Sequence, residues 1–310
     1  MMQVYSHLET LPQGTPNGCA VAMGFFDGLH IGHQAVIGAA VDWARAHQAE
    51  AGVFTFGLPR INSLKGSRLL PTDEKHKLVG EMGVQYYVAP DFEEVKPLSP
   101  EAFFDAMVHK LHARALCCGE NFTFGAKAAG NVDTLRQMCA AAGVELIVVP
   151  LTQFEGKTVS STRIRTALGG GDLPGVNQML GRPYSVRFPV KRGKGLGRTF
   201  GCPTINQIFP EGYQLPKTGI YITRTQIGDR WYPSATGLGS RPTVNENAQD
   251  ITCETFIPDF SGDLYGANPT VEFHAYLSPS RRFDNLDELK ACIDDAAAQA
   301  KAYFSAENAE

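Results

Sequence analysis

The chain has 310 residues, enough for two domains of ordinary size, and its 43% hydrophobic against 19% charged residues can bury a core in each. Its 28 basic and 32 acidic side chains leave a formal net charge of −4, which gives no electrostatic footprint for a nucleic-acid partner. No apolar run is long enough to span a bilayer, Met1 to Thr10 lacks the regions of a signal peptide, and the seven scattered cysteines form no Cys-x-x-Cys pair. These features predict a cytoplasmic protein with no membrane partner.

In chain order, Cys19 to Met23 is an apolar run of buried-strand length. Gly24-Phe25-Phe26-Asp27-Gly28-Leu29-His30-Ile31-Gly32-His33 follows, and then Ala35, Val36, Ala39, Ala40, Trp43 and Ala44 recur at helical spacing. The segment reads as strand, glycine-bearing turn and helix, with His30 at the mouth of the turn and His33 at the helix start. A helix N-terminus gathers backbone N–H groups and partial positive charge, so it suits phosphate, and glycines let the phosphate approach the backbone. Two imidazoles there can donate to a phosphoryl group as its charge builds.

Further strands are expected at Ala51 to Phe56, Gln85 to Ala89, Ala115 to Cys118 and Val144 to Leu151. Helices are expected from Pro71 toward Met82, from Ser99 to about Leu111 and from Val132 to Ala142, with a last one capped by Ser160. Alternation of this kind predicts a Rossmann-like α/β domain with a parallel sheet, whose ligands sit at the carboxyl ends of the strands. After Gly169-Gly170-Gly171 the helical period gives way to short Val, Ile, Tyr, Thr and Phe runs between turns, as in an antiparallel β-barrel. A capping box at Asn285 and Glu288 opens a C-terminal helix carrying Leu286, Leu289, Ile293 and Ala297. The expected domains are 1–181 and 182–310.

Two more stretches in the first half carry chemistry. Gly119-Glu120-Asn121-Phe122-Thr123-Phe124-Gly125 follows a strand and can close over a ligand, although a structural loop would read alike. Ser160-Ser161-Thr162-Arg163 supplies hydroxyls at a helix start and a fixed cation, which suits a triphosphate as well as a plain cap. In the second half, the glycine-rich run Gly193-Lys194-Gly195-Leu196-Gly197-Arg198, with Gly201 after it, suits phosphates or a hairpin turn. Thr204 and Asn206 alternate on an extended segment, so a hydroxyl and an amide oxygen share one face, as Mg2+ prefers.

In order and spacing these segments resemble the prokaryotic bifunctional riboflavin kinase/FAD synthetase family. The carrying motifs are Gly-Phe-Phe-Asp-Gly-x-His-x-Gly-His, Gly-x-Asn-Phe-x-Phe-Gly and Ser-Ser-Thr-x-Ile-Arg, with Pro203-Thr204-Ile205-Asn206 in place of Pro-Thr-Ala-Asn. The resemblance implies a nucleotidylyltransferase domain followed by a riboflavin kinase barrel. The implied reactions use ATP and Mg2+ to turn riboflavin into FMN and FMN into FAD. It implies that His30 and His33 stabilise the transferring group and that Gly24, Phe25, Phe26, Asp27, Gly32, Asn121 and Ser160 to Arg163 hold the nucleotide. It also implies that Glu254 is the base for the riboflavin hydroxyl. Gly57-Leu58-Pro59-Arg60 stands where the family reads x-Pro-His-Pro, and Arg281 or Arg282 where it has an Arg-x-Glu group. The competing readings are a kinase with an impaired FAD synthetase half, a non-catalytic flavin or nucleotide sensor, and a tRNA-linked synthetase. The last lacks its Lys-Met-Ser-Lys-Ser-like loop.

Overall fold

A computed structural model describes residues 2–10, 17–57, 67–193, 201–242, 249–281 and 283–307. The chain divides into two compact units, 1–161 and 162–310.

The first unit contains β1 (Gln3–Tyr5), β2 (Cys19–Met23), α1 (Ile31–Ala46), β3 (Glu50–Phe54), α2 (Thr72–Glu81), β4 (Tyr86–Val88) and α3 (Phe92–Val95). It continues with α4 (Pro100–Asp105), β5 (Ala113–Gly119), β6 (Thr123–Phe124), β7 (Gly130–Asn131), α5 (Val132–Ala142), β8 (Glu145–Val149), β9 (Gln153–Phe154) and β10 (Lys157–Thr158). Six strands form a parallel sheet in the order β1-β4-β3-β2-β5-β8. Its central strands are buried on both faces, which is why β2 reads as an unbroken apolar run. Cys19, Val21 and Met23 face a core with Phe103, Met107 and Leu135, while Ala20 and Ala22 face α1 through Ile37, Ala40 and Ala44. The small alanines let that helix lie close to the sheet.

Several expectations need adjusting. The helix after Ser99 is α-helical only to Asp105 and then widens into a π-helical turn, Ala106–Lys110. The strand expected to reach Phe56 ends at Phe54, and β1 and the β9–β10 hairpin are additions. Ser99 does cap α4, its Oγ accepting from Ala102 N at 3.2 Å.

The second unit contains α6 (Ser161–Gly170), which begins on the last residue of the first, and α7 (Leu173–Leu180). Then come β11 (Tyr184–Val186), β12 (Val190–Lys191), β13 (Thr204–Ile208), β14 (Gly219–Ile227), β15 (Arg230–Pro242), β16 (Gln249–Phe256), β17 (Thr270–Ser278) and α8 (Leu286–Glu307). The strands form a curled antiparallel sheet, β11-β17-β14-β15-β16-β13-β12, a barrel left open between its edge strands. Helix α7 is an addition to the expected elements. Proline is tolerated in the first turn, and Gly175 is needed because a Cβ would lie 2.3 Å from the Asp172 carboxylate that caps the helix.

The inner face of the sheet mixes aromatics with hydroxyls. Tyr221 meets Phe273 edge-on at 5.1 Å, and beside them Thr223 bonds Ser234 (2.9 Å) and Thr236 (2.8 Å). Ser234 bonds Thr225, and Thr236 bonds Thr255, so these buried hydroxyls satisfy one another. The outer face receives α8, with Ala296 and Ala297 against Ala235, and Ala300 and Phe304 against Ile222. No helix among the described residues is long and apolar enough to cross a membrane.

Candidate active sites

In the first sheet the chain runs β2, β3, β4 to one side and then returns to place β5 on the other side of β2. The switch point therefore lies at the carboxyl ends of β2 and β5, where an open parallel sheet leaves a crevice for ligands. The Gly24–His33 loop leaves β2 there, and the Gly119–Gly125 loop leaves β5.

The β2–α1 loop is built tightly. Phe26, Gly28 and Leu29 all have positive φ (53°, 78° and 47°), an unusual conformation for the two bulky residues. Phe26 is nevertheless buried, and a Cβ on Gly24 would lie 2.9 Å from its ring. His30 caps α1, its Nδ1 accepting from His33 N at 3.2 Å. The helix-start donors expected from the sequence are thus partly used by the protein itself. Because Nδ1 accepts, the neutral His30 ring carries its proton on Nε2. The two imidazoles stack with centroids 3.5 Å apart, and Phe26 meets His33 edge-on at 5.3 Å.

Asp27 is buried, and its carboxylate accepts from Leu69 N at 3.1 Å. Its carbonyl accepts from Ser161 Oγ at 2.8 Å, which brings the serine-rich motif to the histidine loop. Ser160 is half-buried beside it, while Thr162 and Arg163 begin the second unit on the first turn of α6. Gly32 approaches closely enough that a Cβ would meet the His30 ring at 3.3 Å. Asn121 is exposed on the loop after β5, a loop that folds back as the β6–β7 ladder, and Asn131 caps α5 through Thr134 N at 3.0 Å. Phe25 stacks on Phe56 at 5.2 Å, and its carbonyl accepts from Thr55 Oγ1 at 3.0 Å. Leu58, Pro59 and Arg60 lie outside the described residues.

In the second unit the strand register assembles the other site. Asn206 on β13 lies opposite Glu254 on β16, and Glu254 lies opposite Gly237 on β15. Thr204, two residues before Asn206, shares its face, so all three polar side chains occupy the outer surface of the sheet. A cavity of about 280 Å³ opens there between the sheet and α8. Thr204, Glu254, Gly237 and Gly239 line one side, and Leu289, Cys292 and Ile293 the other. Arg281 and Phe283 also line it, the guanidinium 5.1 Å from the Phe283 ring. Gly201 adopts φ +83° before Cys202, whose thiol lies 3.5 Å from Asp294 on α8. Gly193 is half-buried, whereas Lys194, Gly197, Arg198, Thr243 and Arg282 lie outside the described residues. Oxygen donors beside a carboxylate fit Mg2+, a hard cation.

Sequence reasoning missed one group. Lys75 on α2 places its Nζ 3.4 Å from the Phe25 carbonyl and 5.5 Å from that ring. It sits in the charged run Glu74-Lys75-His76-Lys77, which looks like a solvated helix face.

The FAD synthetase family profile matches residues 13–163, and the riboflavin kinase profile matches residues 180–304. The bifunctional riboflavin kinase/FMN adenylyltransferase of Listeria monocytogenes is 30% identical over 98% of this chain and 99% of its own. That of Pseudomonas fluorescens is 32% identical over 93% and 94%. A solved structure described as a macrolide-efflux protein from Streptococcus pneumoniae superposes with a TM-score of 0.86 at 25% identity, covering 97% of this chain and 98% of that one. With a nucleotidyl-transfer domain and a kinase domain in this order over nearly its full length, the chain belongs to the bifunctional riboflavin kinase/FMN adenylyltransferase family.

Proposed function

We propose that Glu254 is the general base of riboflavin phosphorylation in this bifunctional enzyme and that Thr204 and Asn206 hold the Mg2+ that accompanies ATP. The observation that carries this reading is the β13–β16–β15 register, which pairs Asn206 with Glu254 and Glu254 with Gly237 beside a mostly apolar cavity that Thr204, Glu254 and Gly237 line. The Glu254 carboxylate takes the proton from the riboflavin 5′-hydroxyl as its oxygen attacks the γ-phosphorus of ATP, and ADP leaves. When bound, Mg2+ neutralises charge on the phosphate oxygens. The apolar walls under α8 accept the flavin ring, and Arg281 with Phe283 closes over it. Gly193, Lys194, Gly197, Arg198 and Gly201 hold the ATP phosphates, an assignment that rests on the sequence motif.

In the first unit, His30 and His33 donate to the α-phosphoryl group while an FMN phosphate oxygen attacks it and pyrophosphate leaves. Gly24, Phe25, Phe26, Asp27, Gly32 and Asn121 shape the nucleotide pocket, and Ser160 and Ser161 hold the departing phosphates. The family motif gives Thr162 and Arg163 the same task. Buried free thiols suit a reducing compartment, so we place the chain in the cytoplasm.

The test is to incubate the purified protein with riboflavin, ATP and Mg2+ and to separate the flavins by chromatography. FMN followed by FAD is expected, and Glu254→Gln should stop the first step. FMN without FAD would favour the kinase with an impaired synthetase half. Unchanged riboflavin would favour a sensor.

A further inference from the structure

Lys75 lies where the ends of two central strands meet. Its ammonium approaches the Phe25 carbonyl at 3.4 Å, beside the Thr55 hydroxyl that donates to the same oxygen at 3.0 Å. Phe25 belongs to the loop that carries His30 and His33, and Phe25, Phe56 and Phe92 form a chain of ring contacts at 5.2 and 5.0 Å. Lys75 keeps solvent-accessible surface, yet the protein surrounds it closely enough that burial pushes its pKa down to about 8. Asp27, on the β2–α1 loop, opposes that shift, and Arg68, just before α2, adds to it.

A lysine on a helix surface ordinarily extends its strongly hydrated head into water. Here the head turns inward against a desolvation cost, which a 3.4 Å contact to a neutral carbonyl, the Phe25 ring at 5.5 Å and the Asp27 charge offset only in part, since the net shift is downward. An anion arriving from the crevice side would stabilise the ammonium further. We propose that Lys75 binds a substrate phosphate oxyanion in adenylyl transfer, from either the FMN phosphate or the ATP triphosphate. The inference rests on reading Gly24–His33 as the nucleotide loop. A bound phosphate favours the ammonium form, so binding takes up a proton above about pH 8 and weakens by about tenfold per further pH unit.

The test uses full-length Lys75→Met and Lys75→Arg, with pyrophosphate release from ATP and FMN as the readout. The riboflavin kinase rate of each preparation is the folding control. Lys75→Met is expected to raise KM for the substrate whose phosphate it holds by about tenfold or more, with the kinase rate intact. Its melting temperature at neutral pH should hold or rise, because a buried charge is gone. Lys75→Arg should recover most of the affinity and move the alkaline loss of binding to higher pH. A rise confined to the KM of FMN assigns the flavin phosphate, and one confined to ATP assigns the triphosphate. Wild-type KM for both substrates in Lys75→Met overturns the proposal, as does an alkaline limb unchanged by that substitution. A fall in the melting temperature of Lys75→Met with both KM values unchanged makes Lys75 a strut of the loop and overturns it equally. His30→Ala separates the two readings: if it makes FAD normally, the nucleotide loop is misassigned and both fall. If it is inactive while Lys75→Met is normal, only the lysine inference falls.

Discussion

Glu254→Gln is the sharpest test of the kinase site, because the structure predicts a change in chemistry with little change in anything else. Glu254 occupies the middle of β16, bonded on one side to β13 and on the other to β15, so its backbone is fixed by neighbours that the substitution leaves alone. Glutamine has the same length and shape, and Gly237 opposite leaves room: a Cβ there would meet nothing nearer than the Glu254 carbonyl at 3.9 Å. Loss of a general base costs about 10² to 10⁴ in rate. That corresponds to about 3 to 5.5 kcal/mol of barrier. Stability should change by less than about 1 kcal/mol, since no cavity or clash is created. Initial rates of FMN formation at saturating riboflavin give kcat, and fluorescence titration gives ATP affinity, which should hold. A variant whose kcat stays within about threefold of wild type would show that Glu254 does not take the proton.

Two further outcomes follow from the packing. A chain starting at residue 162 should stay folded and make FMN, whereas one starting at 182 should melt much lower or aggregate. It lacks α7, whose Leu173, Val176, Met179 and Leu180 are buried and whose Asn177 bonds Phe273 O and Tyr184 N; at about 1.5 to 3 kcal/mol per buried side chain, the loss rivals the stability of a domain. Equal melting temperatures for the two would refute this. Alkylation at mildly alkaline pH should label Cys292, the half-exposed thiol lining the cavity, far faster than Cys117 or Cys253, whose pKa values burial pushes to about 12. Riboflavin should slow that labelling, and mass spectrometry showing no protection would remove the flavin from this cavity.

The elements legible in the sequence are those whose local signals agree with their surroundings. Strand β2 and helix α5 fall at the apolar run from Cys19 and at Val132 to Ala142, as expected. Helix α7 was hidden because its first turn uses residues that break helices elsewhere. The alternating Thr223, Thr225, Ser234 and Thr236 point inward and satisfy one another, a pairing that depends on strand register. Leu286, which reads as part of the apolar face of α8, is 52% exposed, because the sheet is met further along at Ala296 and Ala300. The motifs of both sites were visible as words, but their meetings were not. Ser161 reaches Asp27 across 134 positions, and Asn206 meets Glu254 across a ladder that no local pattern encodes.

The His30–His33 pair shows how much depends on that missing geometry, and it leads to a prediction about acid. In the structure His30 Nδ1 is the acceptor that caps α1, so protonating it turns the acceptor into a donor facing another donor, the His33 N–H. Losing such a cap costs about 1 kcal/mol. Charging both rings costs more: at a centroid separation of 3.5 Å, two unit charges repel by about 5 kcal/mol at an effective dielectric constant near 20. The pair therefore works as neutral donors, never as two full cations. FAD synthesis should fall in acid that charges both rings, while FMN synthesis in the same tube does not follow it. His30→Asn separates capping from chemistry. Asparagine is a good N-cap, so the melting temperature should stay near wild type, but it lacks the Nε2 donor, and FAD formation should fall by about 10² or more. His33→Ala should lose FAD synthesis with the cap acceptor still in place. If His30→Asn makes FAD at the wild-type rate, His30 is a cap and nothing more, and the developing charge must be met by other donors of the β2–α1 loop.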